Sequence, residues 1–295
     1  MPGKEGEEDL SKKIAVKTLE RGSVVVRTIT ILLLVAFLSS TGLAADAPTD
    51  APTDAPTDAP TLRNEMPSYL KSFQMTVNRQ VRAYPESYFL SGQGDERMIA
   101  LTFDDGPDGE NTALLLDLLA ETEVKATFFV VGEKIQEYPE LLKRIASEGH
   151  ELGNHSFSHP DMRKLTNDAI LERELLPTAE LITDLTGLAP MIMRPPYGAL
   201  RDESIEYLTE AGWSIINWSI DSFDWDTTQN SASEITEKVL QYSHPGAIVL
   251  MHTGEGREGT LEALPEIIAS LREDGYQFVT VSEILEILGP GPHTI

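Results

Sequence analysis

The sequence predicts an α/β fold built on a parallel sheet, on three observations. From about Met98 onward, short apolar runs alternate with longer amphipathic ones. Gly149, Gly187, Gly212 and Gly275 stand where the amphipathic runs should stop. Seven β/α repeats follow one another in this way, the order that gives parallel strands joined by crossover helices. The pattern ends near Leu288, which leaves room for an open doubly wound sheet or a barrel related to the eight-stranded one.

The segments before this pattern cannot build a core. Residues Met1 to Arg27 are polar and mixed in charge. Thr28 to Ala45 carries no charge, with its apolar heart at Ile29 to Leu38 and the small pair Ala44-Ala45 at its end. Residues 1–45 therefore read as a signal peptide or an uncleaved membrane anchor, and either sends the rest of the chain outward. Asp46 to Thr61 is four copies of Asp-Ala-Pro-Thr. Proline at every fourth position forbids helix and favours an extended, disordered spacer, the expected form of linker 46–61. Segment 62–97 shows few signals and is expected either to wrap the fold or to lengthen the spacer.

Candidate strands are Met98–Phe103, Ala126–Val131, His150–Gly153, Met191–Met193, Ser214–Ile220, Ala247–Met251 and Gln277–Val281. Candidate helices are Thr112–Glu121, Pro139–Ser147, Asn167–Leu185, Arg201–Ala211, Ser233–Gln241 and Leu261–Arg272, with Ser282–Leu288 closing domain 98–288 and a tail at 289–295. Asn167, Ser233 and Ser282 are the expected N-caps.

Composition narrows the chemistry. The chain of 295 residues has no cysteine, so any metal must be held by His, Asp or Glu, and no thiol nucleophile exists. A net charge of −25 repels nucleic acid phosphates and anionic lipid heads, so no nucleic acid partner is expected. It suits a neutral or cationic partner, or serves solubility alone.

The polar residues converge. Asp104 and Asp105 end the first predicted strand; His155 and His159 follow the third; Arg194 and Tyr197 follow the fourth. Asp221 and Asp224 follow the fifth, and His252 ends the sixth. Sites in parallel α/β proteins form at the carboxyl ends of the strands, so five strands deliver ionisable groups to one rim. Each group alone has a plainer reading. Asp104-Asp105 before Gly106-Pro107 makes a turn with two solvated acids; both reach one site only if the strand has ended, because strand neighbours face opposite ways. His155 and His159 are four apart in an irregular turn between Gly153-Asn154 and Pro160, and two imidazoles plus a carboxylate form a common open metal set. Arg194 in a proline-stiffened loop suits a carboxylate, or a surface salt bridge. His252 after Ile248-Val249-Leu250-Met251 is as simply a core histidine bonded to backbone.

Together these segments resemble the polysaccharide deacetylase family, the NodB-type domain of carbohydrate esterase family four. The resemblance covers Met98 to Leu288 and carries five family motifs in order: Thr102–Pro107, His155–His159, Arg194–Tyr197, Asp221–Trp225 and Leu250–His252. No catalytic position departs from the pattern. The resemblance implies a distorted (β/α)7 barrel. It implies that Asp105, His155 and His159 bind a divalent metal, zinc first, with cobalt or another divalent ion as alternatives. Asp104 is then the general base, oriented by Arg194. The Tyr197 N–H helps hold the oxyanion, and His252 is the general acid supported by Asp224. Tyr197, Trp225 and Leu250 line the substrate pocket. The implied substrate is an acetylated carbohydrate polymer, N-acetylglucosamine polymers first and O-acetylated xylan second. The protein is expected to be extracellular or at the cell surface, either secreted or tethered through residues 28–45, and monomeric. Three rivals fit less of the pattern. An iron(II) oxygenase would not need Asp104, Arg194 and His252; a non-catalytic polysaccharide-binding protein would need neither base nor acid; an enzyme of small cyclic amides would not need export.

Overall fold

The seven predicted repeats form one curled parallel sheet with helices outside it, in a computed structural model that describes residues 68–254 and 256–286. The expected signal or anchor at 1–45, the spacer at 46–61 and the tail at 289–295 lie outside the described residues. Among the described residues, no helix is long and apolar enough to cross a membrane.

Helix α1 (Ser68–Ala83) and strand β1 (Tyr88–Phe89) come from the segment that showed few signals. Segment 68–97 therefore wraps the fold, and β1 joins the sheet beside β6. There follow β2 (Met98–Asp104), α2 (Glu110–Glu121), β3 (Thr127–Val130), α3 (Gly132–Glu137), α4 (Pro139–Ser147) and β4 (Glu151–Asn154). Next are a short α5 (Asn167–Ala169), a π-turn (Ile170–Leu175), α6 (Leu176–Thr186), β5 (Ile192–Met193) and α7 (Asp202–Glu210). Strands β6 (Ser214–Ile216) and β7 (Ile220–Asp221), α8 (Ala232–Tyr242), β8 (Ala247–His252), α9 (Glu258–Glu273), β9 (Gln277–Phe278) and α10 (Val281–Ile284) complete the order.

The sheet runs β1-β6-β5-β4-β3-β2-β8-β7, with every pairing between these strands parallel. Strand β9 pairs with the first residues of β2, while β3 pairs with its last three. The sheet thus fans at one end, giving the distorted (β/α)7 barrel. Central strands are apolar because both faces are covered: Ile99, Ala100, Leu101 and Phe103 are fully buried, as are Ile248, Val249 and Met251. One face packs on α2, α8 and α9 through Leu115, Leu119, Val239, Leu264 and Ile268.

Several expectations need correction. The strand expected over Ser214–Ile220 is two strands, split at Asn217-Trp218-Ser219. Arg194 causes the break, because its Nε and Nη2 donate to the carbonyls of Ile216 and Asn217, at 3.3 and 3.1 Å. The single helix expected over Asn167–Leu185 is interrupted by the π-turn. All three expected N-caps are displaced. Thr166 replaces Asn167, and Ser231 and Thr280 replace Ser233 and Ser282. Ser231 and Thr280 each stand three residues before a glutamate that closes a capping box, Glu234 and Glu283. The last strand stops at Phe278, and α10 begins at Val281. The four glycine stops do take positive φ, between 76° and 92°.

Candidate active site

Strand pairing explains how the acids meet. Asp104, the last residue of β2, is in register with His252, the last residue of β8. Thr102 and Asp104 lie two apart on β2 and share a face, as do Leu250 and His252 on β8. Asp105 would face away if the strand continued. Instead its φ is +72°, which ends the strand and lets both carboxylates reach one site. Non-glycine residues rarely take this conformation. Ser156, His159, Tyr197 and Phe223 take it too, with φ between 55° and 72°. All five strained residues lie in the strand-end motifs themselves; such strain persists where surrounding contacts over-determine the backbone.

Asp105, His155 and His159 bring one ligand atom each within 4.8 Å of one another. His159 Nε2 lies 3.3 Å and His155 Nε2 3.5 Å from Asp105 Oδ1. The Nδ1 of His155 is 2.8 Å from the Arg194 carbonyl, which fixes Nδ1 as the donor and turns Nε2 to the cluster. This is the second contact that a ligating histidine usually makes. Two imidazole nitrogens and a carboxylate oxygen, converging with an open side, fit a divalent cation of the zinc type. Burial alone would raise the Asp105 carboxyl; the facing His155, aided by His252 and His159, overrides it and holds it well below the usual carboxylate range. The ionised form is the one a cation needs.

Asp104 divides its two oxygens. Oδ1 accepts from Arg194 Nη1 at 2.7 Å, and Oδ2 lies 3.8 Å from His155 Nε2. Arg194 is fully buried, its guanidinium 4.1 Å from the centre of the Phe129 ring. It also donates to Thr102 Oγ1 at 2.7 Å. A buried cation with this many fixed partners cannot swing, so it sets the direction of the Asp104 carboxylate.

On the neighbouring strand, His252 Nδ1 is 2.7 Å from Asp224 Oδ1, and its backbone N–H donates to Oδ2 at 2.8 Å. Thr260 Oγ1 donates to the same oxygen at 2.8 Å. Burial disfavours the charged imidazole, but Asp224 outweighs it and His252 is pushed up to about 9. Its Nε2 is left for the cleft.

One cleft of about 740 Å³ is lined by Asp104, Asp105, His155, His159, Tyr197, Trp225, Leu250 and His252. Arg194 and Asp224 stand behind Asp104 and His252 rather than in the wall. Every residue singled out at the strand ends is therefore brought to one place. Asp221 also lines the cleft; burial pushes it up to about 6, against the pull of the Phe223 N–H and the Trp225 indole N–H, which it accepts at 2.9 and 3.1 Å.

Sequence reasoning missed Glu174. This buried residue on the π-turn accepts from the N–H groups of Phe157 and Ser158 at 3.0 and 2.9 Å, and from Ser158 Oγ at 3.0 Å. It clamps the loop between the two histidines. A π-turn at such a place is a common functional distortion, and an acid within an amphipathic helix gives no sign of it.

The family model described as polysaccharide deacetylase matches residues 91–216. A peptidoglycan-N-acetylglucosamine deacetylase of Bacillus cereus is 41% identical over 202 residues, 68% of this chain and 72% of that one. A peptidoglycan-N-acetylglucosamine deacetylase of Listeria monocytogenes is 42% identical over 188 residues, 64% of this chain but 39% of the longer relative. Among solved structures, the Bc1960 peptidoglycan N-acetylglucosamine deacetylase superposes with a TM-score of 0.69 at 39% identity, covering 72% of this chain and 99% of that one. BA3943 of Bacillus anthracis, described as a pseudoenzyme of carbohydrate esterase family four, reaches 0.62 at 32% identity and covers 67% of this chain and 68% of that one.

Proposed function

The chain belongs to the polysaccharide deacetylase family, and from that membership we propose that it removes N-acetyl groups from N-acetylglucosamine residues of a cell-wall glycan with the help of a divalent cation. As a member it is a hydrolase and a polysaccharide deacetylase. The observation that carries the finer reading is the pairing of Asp104 and His252 in one register, beside the Asp105, His155 and His159 cluster. A base and an acid side by side in one cleft, next to a cation site, suit amide hydrolysis and are wasted on simple binding. The three proteins quoted above as peptidoglycan N-acetylglucosamine deacetylases favour that glycan over xylan.

Asp105, His155 and His159 would hold the cation, zinc first on the donor set. When bound it supplies Lewis acidity, polarising the acetyl carbonyl and acidifying water. Asp104 takes the proton from the attacking water through Oδ2, since Arg194 occupies Oδ1. The Tyr197 N–H donates to the oxygen that gains charge, and one such donor is typically worth about 3–4 kcal/mol. His252 then gives the leaving nitrogen its proton from Nε2, because Nδ1 is committed to Asp224. The C–N bond breaks, and acetate and a free amine leave. Leu250 and Trp225 enclose the acetyl methyl. Export through residues 28–45, with or without a retained anchor, would bring the enzyme to its glycan.

Acetate release from chito-oligosaccharides, peptidoglycan and acetylxylan, with and without chelator, tests this reading. Release from the N-acetylglucosamine polymers that stops on chelation and returns with zinc is expected. Release that ignores the chelator, or that comes only from acetylxylan, would overturn it.

Two further results are expected. His252 must be protonated to act, so the rate falls as pH rises through its pKa, pushed up to about 9. Asp224→Asn removes the group that opposes burial, so the basic limb of the kcat profile moves down by at least ~1 pH unit. An unmoved limb would mean that a group other than His252 is titrating. Glu174→Ala frees the loop between His155 and His159, and zinc affinity measured by calorimetry should fall ~10–100-fold, as for other outer partners of metal ligands.

A further inference from the structure

Helix α1 lies outside the residues matched by the family model, yet it forms part of the active-site cleft. Phe73, Thr76 and Val77 line the cleft that holds Asp104, His155 and His252. The Phe73 ring stacks on Trp218 with centroids 5.9 Å apart and planes at 27°. Both rings press on Gly198, where a Cβ would meet Trp218 at 2.8 Å and Phe73 at 2.9 Å. Tyr197, 61% exposed, stands next to them. The wall is preformed. Gln80 donates to the Leu200 carbonyl at 2.9 Å and to Asp202 at 3.0 Å, Arg79 pairs with Asp202, and Tyr84 donates to Glu206 at 3.0 Å. Val77 is buried against the barrel.

We propose that this wall is a second sugar-binding subsite, in which Phe73 and Thr76, with Trp218 backing the Phe73 ring, receive the pyranose ring next to the one that loses its acetyl group. The proposal rests on the deacetylase reading of the adjoining site. The surface is aromatic with a few hydroxyl and amide edges, the chemistry that meets a sugar. The apolar C–H face of a pyranose packs on the electron-rich face of an aromatic ring, and its hydroxyls bond to small polar groups at the edge. The cationic groups of the cleft are already engaged. Arg163 grips the Asp161 carboxylate through Nε and Nη2, at 2.8 and 2.9 Å, and Arg257 donates to the Asp224 carbonyl at 3.0 Å. A neutral sugar therefore fits this wall better than an acidic one. Segment 68–97 thus selects for substrates longer than one residue.

Phe73→Ala and Phe73→Tyr in the full chain test this. The N-acetylglucosamine hexamer is compared with 4-nitrophenyl acetate, an acetyl ester with no neighbouring sugar, and hexamer affinity is measured directly by calorimetry. Phe73→Ala should raise KM for the hexamer ~10-fold more than KM for the ester, and Phe73→Tyr, which keeps the ring, should restore it. Equal losses on both substrates would make α1 a prop for the Tyr197 turn and overturn the subsite. Unchanged hexamer affinity in Phe73→Ala would overturn it as well. A wild-type chain that binds the hexamer without releasing acetate would count against the deacetylase reading alone, since the affinity comparison of the variants would still stand.

Discussion

His155→Ala should lose bound metal and deacetylation together, with the rate falling by more than ~10²-fold, since even outer partners of metal ligands are worth 10–100-fold. His155 is the buried member of the ligand set; Asp105 and His159 are partly exposed. Its Nδ1 bond to the Arg194 carbonyl ties the cation site to the loop that also carries the Asp104 partner. Without the imidazole, one nitrogen and one carboxylate remain, too few to hold a catalytic zinc against water. The check is metal content by elemental analysis alongside acetate release. Activity that persists in metal-free buffer would refute the assignment of Asp105, His155 and His159 as ligands. This test has added weight because the fold does not guarantee turnover: a pseudoenzyme shares it at 32% identity. What distinguishes an enzyme here is the identity of a few side chains.

Those side chains were legible because the fold puts chemistry at strand ends. Once Met98–Phe103 and Ala247–Met251 read as strands, Asp104 and His252 at their ends had to share a rim, whatever their exact register. The sequence was less informative where a distant side chain shapes the backbone. Nothing around Asn217 announces that Arg194, more than twenty residues earlier, will take its carbonyl and that of Ile216 and divide the strand. The π-turn at Ile170–Leu175 escapes a reading based on 3.6-residue periodicity, because one wide turn leaves the apolar pattern nearly intact. Helix α1 is amphipathic, but its contacts, Gln80 to Leu200 and Arg79 to Asp202, are tertiary. The caps are a different case. Ser231-Ala232-Ser233-Glu234 holds two serines, and only Ser231 has its glutamate three residues on; the capping-box spacing in the sequence therefore points to Ser231.

Asp104→Asn should keep the metal and lower kcat by at least ~10², the lower range of what a positioned base contributes. Asparagine has the same shape, and its carbonyl can still accept from Arg194 Nη1. The amide that replaces Oδ2 can only donate, so the proton of the attacking water has nowhere to go. The substitution also removes the charge opposite a fully buried guanidinium, and breaking such a pair typically costs about 3–5 kcal/mol. Arg194 retains Thr102 Oγ1 and two carbonyls as partners, which tempers that loss. A melting curve must therefore accompany the kinetics: a folded, zinc-loaded and slow variant identifies a missing base, whereas an unfolded one identifies only a missing counter-charge. A near-native rate in a folded variant would mean that another group takes the proton. Asp221, which lines the same cleft with its carboxyl pushed up to about 6, is the group to substitute next. One of its oxygens is spent on the Phe223 and Trp225 N–H groups. Asp104 instead turns Oδ2 toward the cation site, 3.8 Å from His155 Nε2, and that placement favours it as the base.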